Sequence, residues 1–323
     1  PSGDPGTLSR PVLTSLLREQ MKFEGLIFTD AMDMRGILVQ YGPDTAAMRA
    51  VEAGADVLLM PLDVGRTIDA VVRGVTEGRY TEERLDRSVR RILASKERLR
   101  LHRSRTVDLD SARLMVGDSA HAALARSAAV RSITLVKDSL RLLPLGSRPS
   151  NSRVLSITFA RRADLSAGQA FNAELRRVFR GVREEYVDAD GGGPNYQRLL
   201  RVADSADVVI VSPYVGHSWD VATVAAPAAF AEFVRALVRG GRSPIVMAMG
   251  NPYFLQQVPE VSTYVVAWGG FPVSQQAAAW ALLGTNAITG RLPIAIPPVA
   301  PLGAGETRAQ LAAGASSSTR SRQ

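Results

Sequence analysis

"GLIFTDAMDM", residues 25–34, is the stretch on which the reading of this chain turns. Leu26 to Thr29 have the composition of a buried strand, and the run ends on a carboxylate, Asp30. A continuous apolar strand is the kind covered on both faces, as in parallel sheets. In such sheets the carboxyl ends of the strands face the ligand side. A carboxylate placed there can serve as nucleophile, general base, metal ligand or cap of the next helix.

The flanking sequence supports a βα pattern. Ser9 before Arg10 and Pro11 reads as a helix entry, followed by Val12, Leu13, Leu16, Leu17 and Met21 at helical spacing. Downstream, Asp44 reads as a cap for a helix over 45–53, closed by Gly54. "ADVLLMP" (55–61) is a second apolar strand. A helix over 65–77 follows, and Thr81 caps another with Glu82 and Glu83 in its first turn. Leu85, Val89, Ile92, Leu93 and Leu99 form the expected buried stripe of that helix. Two strands cannot make a domain, so this region is expected to be the end of a larger α/β layer or barrel.

Residues 101–118 show little periodicity and read as a linker. Beyond them the alternation resumes: helix 119–129, strands at 132–137, 153–159, 207–214, 244–250 and 263–269, and helices over 167–180, 227–239 and 274–283. This predicts an open, mostly parallel sheet. The end of the chain, 301–323, is low in complexity and is expected to be a disordered tail.

Composition narrows the function classes. The chain has 323 residues, enough for two ordinary domains, and its 46% hydrophobic and 22% charged content fits a globular protein. Residues 1–100 hold 15 basic and 15 acidic side chains, so the net +8 arises entirely in the remainder. The basic residues are scattered arginines without an aromatic-interleaved stripe, which argues against a nucleic-acid partner. No apolar run approaches the ~20 residues of a membrane-spanning helix. The absence of cysteine excludes disulfides and thiolate metal sites. The opening "PSGDPGTLS" reads as a mid-protein loop, so the chain is expected to be the C-terminal part of something longer, and the compartment is left open.

Other chemical signals are sparse. His102, His121 and His217 lack metal-ligand spacing, although His217 lies in "YVGHSWD" beyond a strand end. There is no phosphate-binding glycine loop and no Gly-x-Ser-x-Gly elbow, and "DGGGP" (190–194) lacks the lysine and capped helix of a phosphate cradle. "GNPY" (250–253) is explained by turn chemistry, with Asn251 and Tyr253 as secondary ligand candidates. A phosphatase-type aspartate nucleophile wants a second acid two residues on, where this chain has Met32. A glycosidase nucleophile needs only a partner acid or base elsewhere in the fold, about 5–5.5 Å away in a retaining enzyme.

At this point the residues resemble the family 3 glycoside hydrolases, in their β-N-acetylglucosaminidase (β-N-acetylhexosaminidase) branch. The resemblance runs through "TLSRPVLTSLLREQMKFEGLIFTDAMDMRGI" (7–37), "AVEAGADVLLMP" (50–61) and "GRYTEERLDRSVRRILASKERLRL" (78–101). It resumes in "SITLVKDSLRLLPL" (132–145), "GNPYFL" (250–255) and "AWGGFPVSQQAAAWALLGTNAITGRLPIAIP" (267–297). It implies the C-terminal remnant of a (β/α)8 TIM barrel over 1–100, a linker over 101–118, and an α/β sandwich domain with a mostly parallel sheet over 119–300. Asp30 falls on the family's nucleophile position, and Ala31 in place of tryptophan favours the amino-sugar branch over β-glucosidases.

The implied activity of the full-length protein is retaining exo-β-N-acetylglucosaminidase, acting on a carbohydrate substrate without metal or organic cofactor. Met32 and Met34 are candidate substrate-binding residues. The branch's acid/base histidine lies in a loop of earlier barrel units and is expected upstream of Pro1. No glutamate in the second half matches the acid/base motif of the β-glucosidases. The 323 residues alone are expected to be inactive. The alternatives are a β-glucosidase or β-xylosidase specificity, or a non-catalytic carbohydrate- or subunit-binding module using the loops after Tyr214 and Gly250.

Overall fold

The structure is a computed structural model, and it describes residues 3–189, 195–215 and 226–312. The chain divides into two compact units, Pro1–Leu114 and Met115–Gln323.

The first unit is built around two parallel strands, β1 (Phe28–Ala31) and β2 (Val57–Leu59). A ten-residue π-helix, Pro11–Gln20, precedes β1. Between the strands lie α1 (Arg35–Tyr41) and α2 (Pro43–Ala53), and after them α3 (Val64–Thr76) and α4 (Glu82–Arg98). Local signals account for most of these boundaries. Pro43 opens α2 with its fixed φ, Gly54 ends it at φ 122°, and the Asp63 and Thr81 side chains accept the backbone N–H groups of Arg66 and Arg84 to cap α3 and α4.

Several expectations need correcting. Ser9 is not a hydroxyl cap: Arg10 holds the cap position, and the main chain closes i→i+5 bonds such as Met21 N–H to the Leu16 carbonyl at 2.9 Å. Asp44 sits inside the first turn of α2 and pairs with Arg66 and Arg73 at 2.6 and 2.7 Å. The strand expected at 26–29 lies two residues later, because the ladder with β2 begins at Phe28↔Val57 and continues to the Met32 N–H, which donates to the Leu59 carbonyl. Asp30 is therefore within β1 rather than beyond it.

The core of this unit lies on one side of the strand pair. Ile27 and Met32 pack with Leu8, Leu13, Ile37 and the alanines of α2. On the other face Phe28 and Leu59 are 55% and 42% exposed. The stripe expected to be buried on α4 is so only in part: Leu85 packs against the core and Ile92 is half-buried, but Val89, Leu93 and Leu99 are at least half exposed, as are Ile68 and Val72 on α3.

A short helix, α5 (Leu109–Met115), occupies the stretch expected as linker, and α6 (Ser119–Ser132) follows, capped by Asp118. The second unit contains β3 (Thr134–Asp138), β4 (Arg153–Ala160), α7 (Gln169–Val178), β5 (Gly181–Asp188), α8 (Tyr196–Asp204) and β6 (Val208–Pro213). It continues with α9 (Ala228–Arg239), β7 (Ile245–Ala248), α10 (Phe254–Gln257), β8 (Thr263–Val266) and α11 (Pro272–Leu283). The six strands run in the order β3-β8-β7-β6-β4-β5, parallel throughout except for the antiparallel β3–β8 pair. This is the expected α/β fold with a mostly parallel sheet. Helices α6, α7 and α11 contribute to the core on one face, and α8 and α9 to the core on the other.

Two parts of this unit were not foreseen. β5, "GVREEYVD", carries adjacent charges and lacks the apolar run of its neighbours because it is an edge strand. Its charges are spent locally: Arg176 pairs with Glu184, and Arg183 and Arg198 both pair with Glu185. The described part of the expected tail, 301–312, is ordered against the sheet. The Glu306 N–H donates to the Leu135 carbonyl at 2.7 Å, Arg308 pairs with the buried Asp138 at 2.9 Å, and the Leu311 N–H bonds Gly284. A segment of low-complexity composition is held here by main-chain bonds and one buried ion pair, neither of which hydropathy reveals.

Candidate active site

The amino end of the strand pair is fixed by Asp56, whose side chain is fully buried. It accepts hydrogen bonds from the Ile27 N–H at 3.0 Å and the Ser88 hydroxyl at 2.5 Å, and it pairs with Arg18 and, at 3.1 Å, with Arg91. One carboxylate thereby ties the π-helix, β1, β2 and α4 together. Arg18 also donates to the carbonyls of Phe23 (2.7 Å) and Gly25 (2.5 Å), clamping the approach to β1. Burial pulls the Arg18 guanidinium below its usual range, and the charge of Asp56 opposes that shift.

Towards the carboxyl end the strands are joined by a side chain. The Leu59 N–H donates to the buried Thr29 hydroxyl at 2.8 Å, and the Met32 N–H donates to the Leu59 carbonyl at 2.8 Å. Thr29 faces inward, so Asp30 must face the opposite way. Asp30 is exposed, on the same face as Phe28. Its Oδ1 accepts the N–H of Ala31 at 2.8 Å, and among the described residues no cation pairs with it. The result is an accessible carboxylate at the end of a rigid, buried framework, which suits a nucleophile or base better than a structural cap. Indeed α1 is capped at Met34 and makes no use of Asp30.

The two methionines separate. Met32 is 5% exposed within the core, where it packs with Ile27 and Ile37, whereas Met34 is 41% exposed at the start of α1. Only Met34 has the access that substrate contact needs: strict alternation would set Met32 on the same face as Asp30, but the register of β1 shifts between Phe28 and Ala31 and Met32 turns into the core.

A third methionine adjoins the site and was not foreseen. Met60 follows the last residue of β2 with φ 48° and is 58% exposed. A bulky residue in the left-handed region costs about 1–3 kcal/mol, and the following Pro61 further restricts its backbone. Glycine is the residue that would have flagged such a turn in the sequence.

The remaining candidates lie elsewhere. His102 and His121 are exposed surface residues, and His217 and residues 190–194 fall outside the described residues. Asn251 accepts the Tyr253 N–H at 2.9 Å, while its own N–H donates to the Val215 carbonyl at 3.0 Å, so the loop after β7 is hydrogen-bonded to the loop after β6. Tyr214 is largely buried, which pushes its phenol well above the ordinary range, and its hydroxyl accepts the Gly168 N–H at 2.9 Å. Among the described residues no group of three His, Asp or Glu side chains is set to hold a metal ion. No described helix is long and apolar enough to cross a membrane.

Comparison with known proteins bears on both units. Residues 2–95 match the glycosyl hydrolase family 3 N terminal domain and residues 133–318 match the glycosyl hydrolase family 3 C-terminal domain. A β-N-acetylglucosaminidase/β-glucosidase of Cellulomonas fimi is 29% identical over 306 residues, which cover 90% of this chain and 52% of the relative. β-Hexosaminidase A of Pseudoalteromonas piscicida is 29% identical over 150 residues, covering 44% of this chain and 24% of that protein. The structure of a glycoside hydrolase family 3 β-N-acetylglucosaminidase from Paenibacillus sp. superposes with a TM-score of 0.66 at 25% identity, over 90% of this chain and 54% of that one. The chain thus spans about half the length of the Cellulomonas relative and of the Paenibacillus structure.

Proposed function

The chain belongs to glycosyl hydrolase family 3, and from that premise we propose that the full-length protein is a retaining exo-β-N-acetylglucosaminidase with Asp30 as its nucleophile. The observation that carries the reading is the accessible Asp30 carboxylate, held on the carboxyl side of a parallel strand pair by Asp56 at one end and Thr29 at the other. The amino-sugar specificity rests on Ala31 beside it and on the names of the relatives from Cellulomonas, Pseudoalteromonas and Paenibacillus.

In this reading the Asp30 carboxylate attacks the anomeric carbon while a general acid protonates the leaving oxygen. A covalent glycosyl-enzyme forms, and a water activated by the same group, now a base, releases the sugar with retained configuration. The acid/base belongs to barrel units expected before Pro1. The open face carrying Phe28 and Leu59, with Ile68, Val72, Val89 and Leu93 on the helices, is the surface that those units would cover. The 323 residues alone are therefore inactive.

The test uses the full-length protein and an aryl β-N-acetylglucosaminide. Asp30→Gly is expected to lose at least a thousandfold in kcat, and added azide should restore turnover with an α-configured glycosyl azide as product. Hydrolysis unchanged in Asp30→Gly, or hydrolysis by the 323-residue chain alone, would sink the assignment. A β-glucosidase specificity is the second reading, favoured by the double name of the Cellulomonas relative. The ratio of kcat/KM on aryl N-acetylglucosaminide and aryl glucoside decides between the two.

A further inference from the structure

We propose that Met60 is a specificity-determining residue of the Asp30 site, its thioether packing on the apolar surface of the sugar ring that Asp30 attacks. The proposal deepens the reading of Asp30 as nucleophile and rests on it.

Three observations converge. Met60 holds φ 48° immediately before Pro61, a conformation that glycine would adopt at lower cost. Among the described residues little packs on its side chain, which is 58% exposed. Left-handed backbone at a non-glycine residue clusters at active sites and ligand clamps. Finally, the position is rigidly specified. Leu59 is the register partner of Ala31, its N–H is held by the Thr29 hydroxyl, and its carbonyl is held by the Met32 N–H. Met60 is the next residue along, so it stands about one strand spacing, ~4.8 Å, to the side of the segment bearing Asp30.

Chemistry then restricts what Met60 can touch. The Asp30 oxygen must come within bonding reach of the anomeric carbon, so a residue one strand to the side faces the carbons that flank it. Those are C2 with its substituent, or C5 and C6. Both present apolar surface, the acetamido methyl on one side and the C5–C6 hydrogens on the other. A flexible, polarisable thioether fits either.

The experiment compares aryl β-glycosides of N-acetylglucosamine, glucose and xylose on the full-length protein, for the parent, Met60→Gly and Met60→Gln. Glycine relieves the backbone while deleting the side chain, and glutamine keeps the length while replacing the thioether. A lost apolar contact of this size is worth on the order of tenfold in kcat/KM. A loss on N-acetylglucosaminide alone places Met60 against the acetamido methyl. A loss on N-acetylglucosaminide and glucoside, with xyloside unchanged, places it against C6. Equal losses on all three substrates, or none, overturn the proposal. So does a thermal midpoint that falls in both variants in step with activity, because that is the mark of a purely structural role. If the parent hydrolyses none of the three, the glycosidase reading itself fails, an outcome distinct from loss of discrimination.

Discussion

Removing the Asp56 carboxylate should melt the framework of the site while leaving the second unit intact. In Asp56→Ala the buried Ile27 N–H loses its acceptor, at about 1–3 kcal/mol. Arg18, whose side chain is only 12% exposed, becomes an unpaired buried charge, and breaking a buried pair in this way costs about 3–5 kcal/mol. Arg91 is 36% exposed and its loss adds little after solvent screening. These costs overlap, so the expected destabilisation is about 4–5 kcal/mol, roughly a thousandfold or more in the opening equilibrium. All three tryptophans, Trp219, Trp268 and Trp280, lie in the second unit, so their fluorescence reports that unit alone. Hydrogen exchange at the amides of Met32, Asp56, Val57 and Leu59 reports the strand pair. The expected result is fast exchange at those four amides with an unchanged tryptophan transition. Exchange within threefold of the parent would refute the reasoning. A double replacement, Asp56→Leu with Arg18→Met, should recover much of the loss, because an apolar pair of similar volume carries no desolvation cost.

Further expectations follow from single side chains. Gln275 is fully buried, accepts the N–H groups of Ala170 and Phe171, and donates to the carbonyls of Ser166 and Gly270 at 2.9 and 2.7 Å. Gln275→Leu strands these groups and should cost about 2–4 kcal/mol, read from urea unfolding by tryptophan fluorescence. Gly74→Ala would normally gain about 1 kcal/mol in a helix, but a Cβ there would lie 2.2 Å from the Tyr80 hydroxyl, so the variant should be destabilised by thermal unfolding. Gly36→Ala, with nothing within 4 Å of the new methyl group, should be neutral or stabilised in the same assay. Arg153 holds the Asp207 carboxyl down to about 2 through paired side-chain bonds and its own N–H. A carboxylate depressed in the folded state stabilises above its unfolded pKa near ~4 and loses that contribution as pH falls through the folded value. The stability gap between the parent and Asp207→Asn should therefore be constant above pH ~4 and shrink towards pH 2.

How much of this was legible in the sequence depends on where each feature takes its cause. Features with local causes were read directly: the Thr81 cap, the Gly54 terminus, and the central strands β4, β6, β7 and β8, whose continuous apolar runs follow from burial on both faces. β5 was missed because an edge strand needs no such run and its charges resemble a loop. The packed segment at 304–311 was missed because its anchor, Asp138 with Arg308, joins residues far apart in the sequence. Hydropathy along the chain carries no record of such a pairing.

The candidate site shows the same division within a few residues. Asp30 was visible because a carboxylate interrupts an apolar run, and two-residue alternation turns it away from the core that holds Thr29. Met32, two residues further on, would share the face of Asp30 by alternation alone, and it reaches the core because the register shifts between Phe28 and Ala31, which no sequence pattern records. Asp56 looks like an ordinary loop acid preceding a strand, and its role appears only when Arg18, Ser88 and Arg91 converge on it from separate helices. Met60 is hidden for another reason. Sequence reading detects left-handed turns through glycine and asparagine, and a methionine there is silent unless the backbone angle is seen. A position where the local preference is violated, beside the proposed nucleophile, is where a function should be sought.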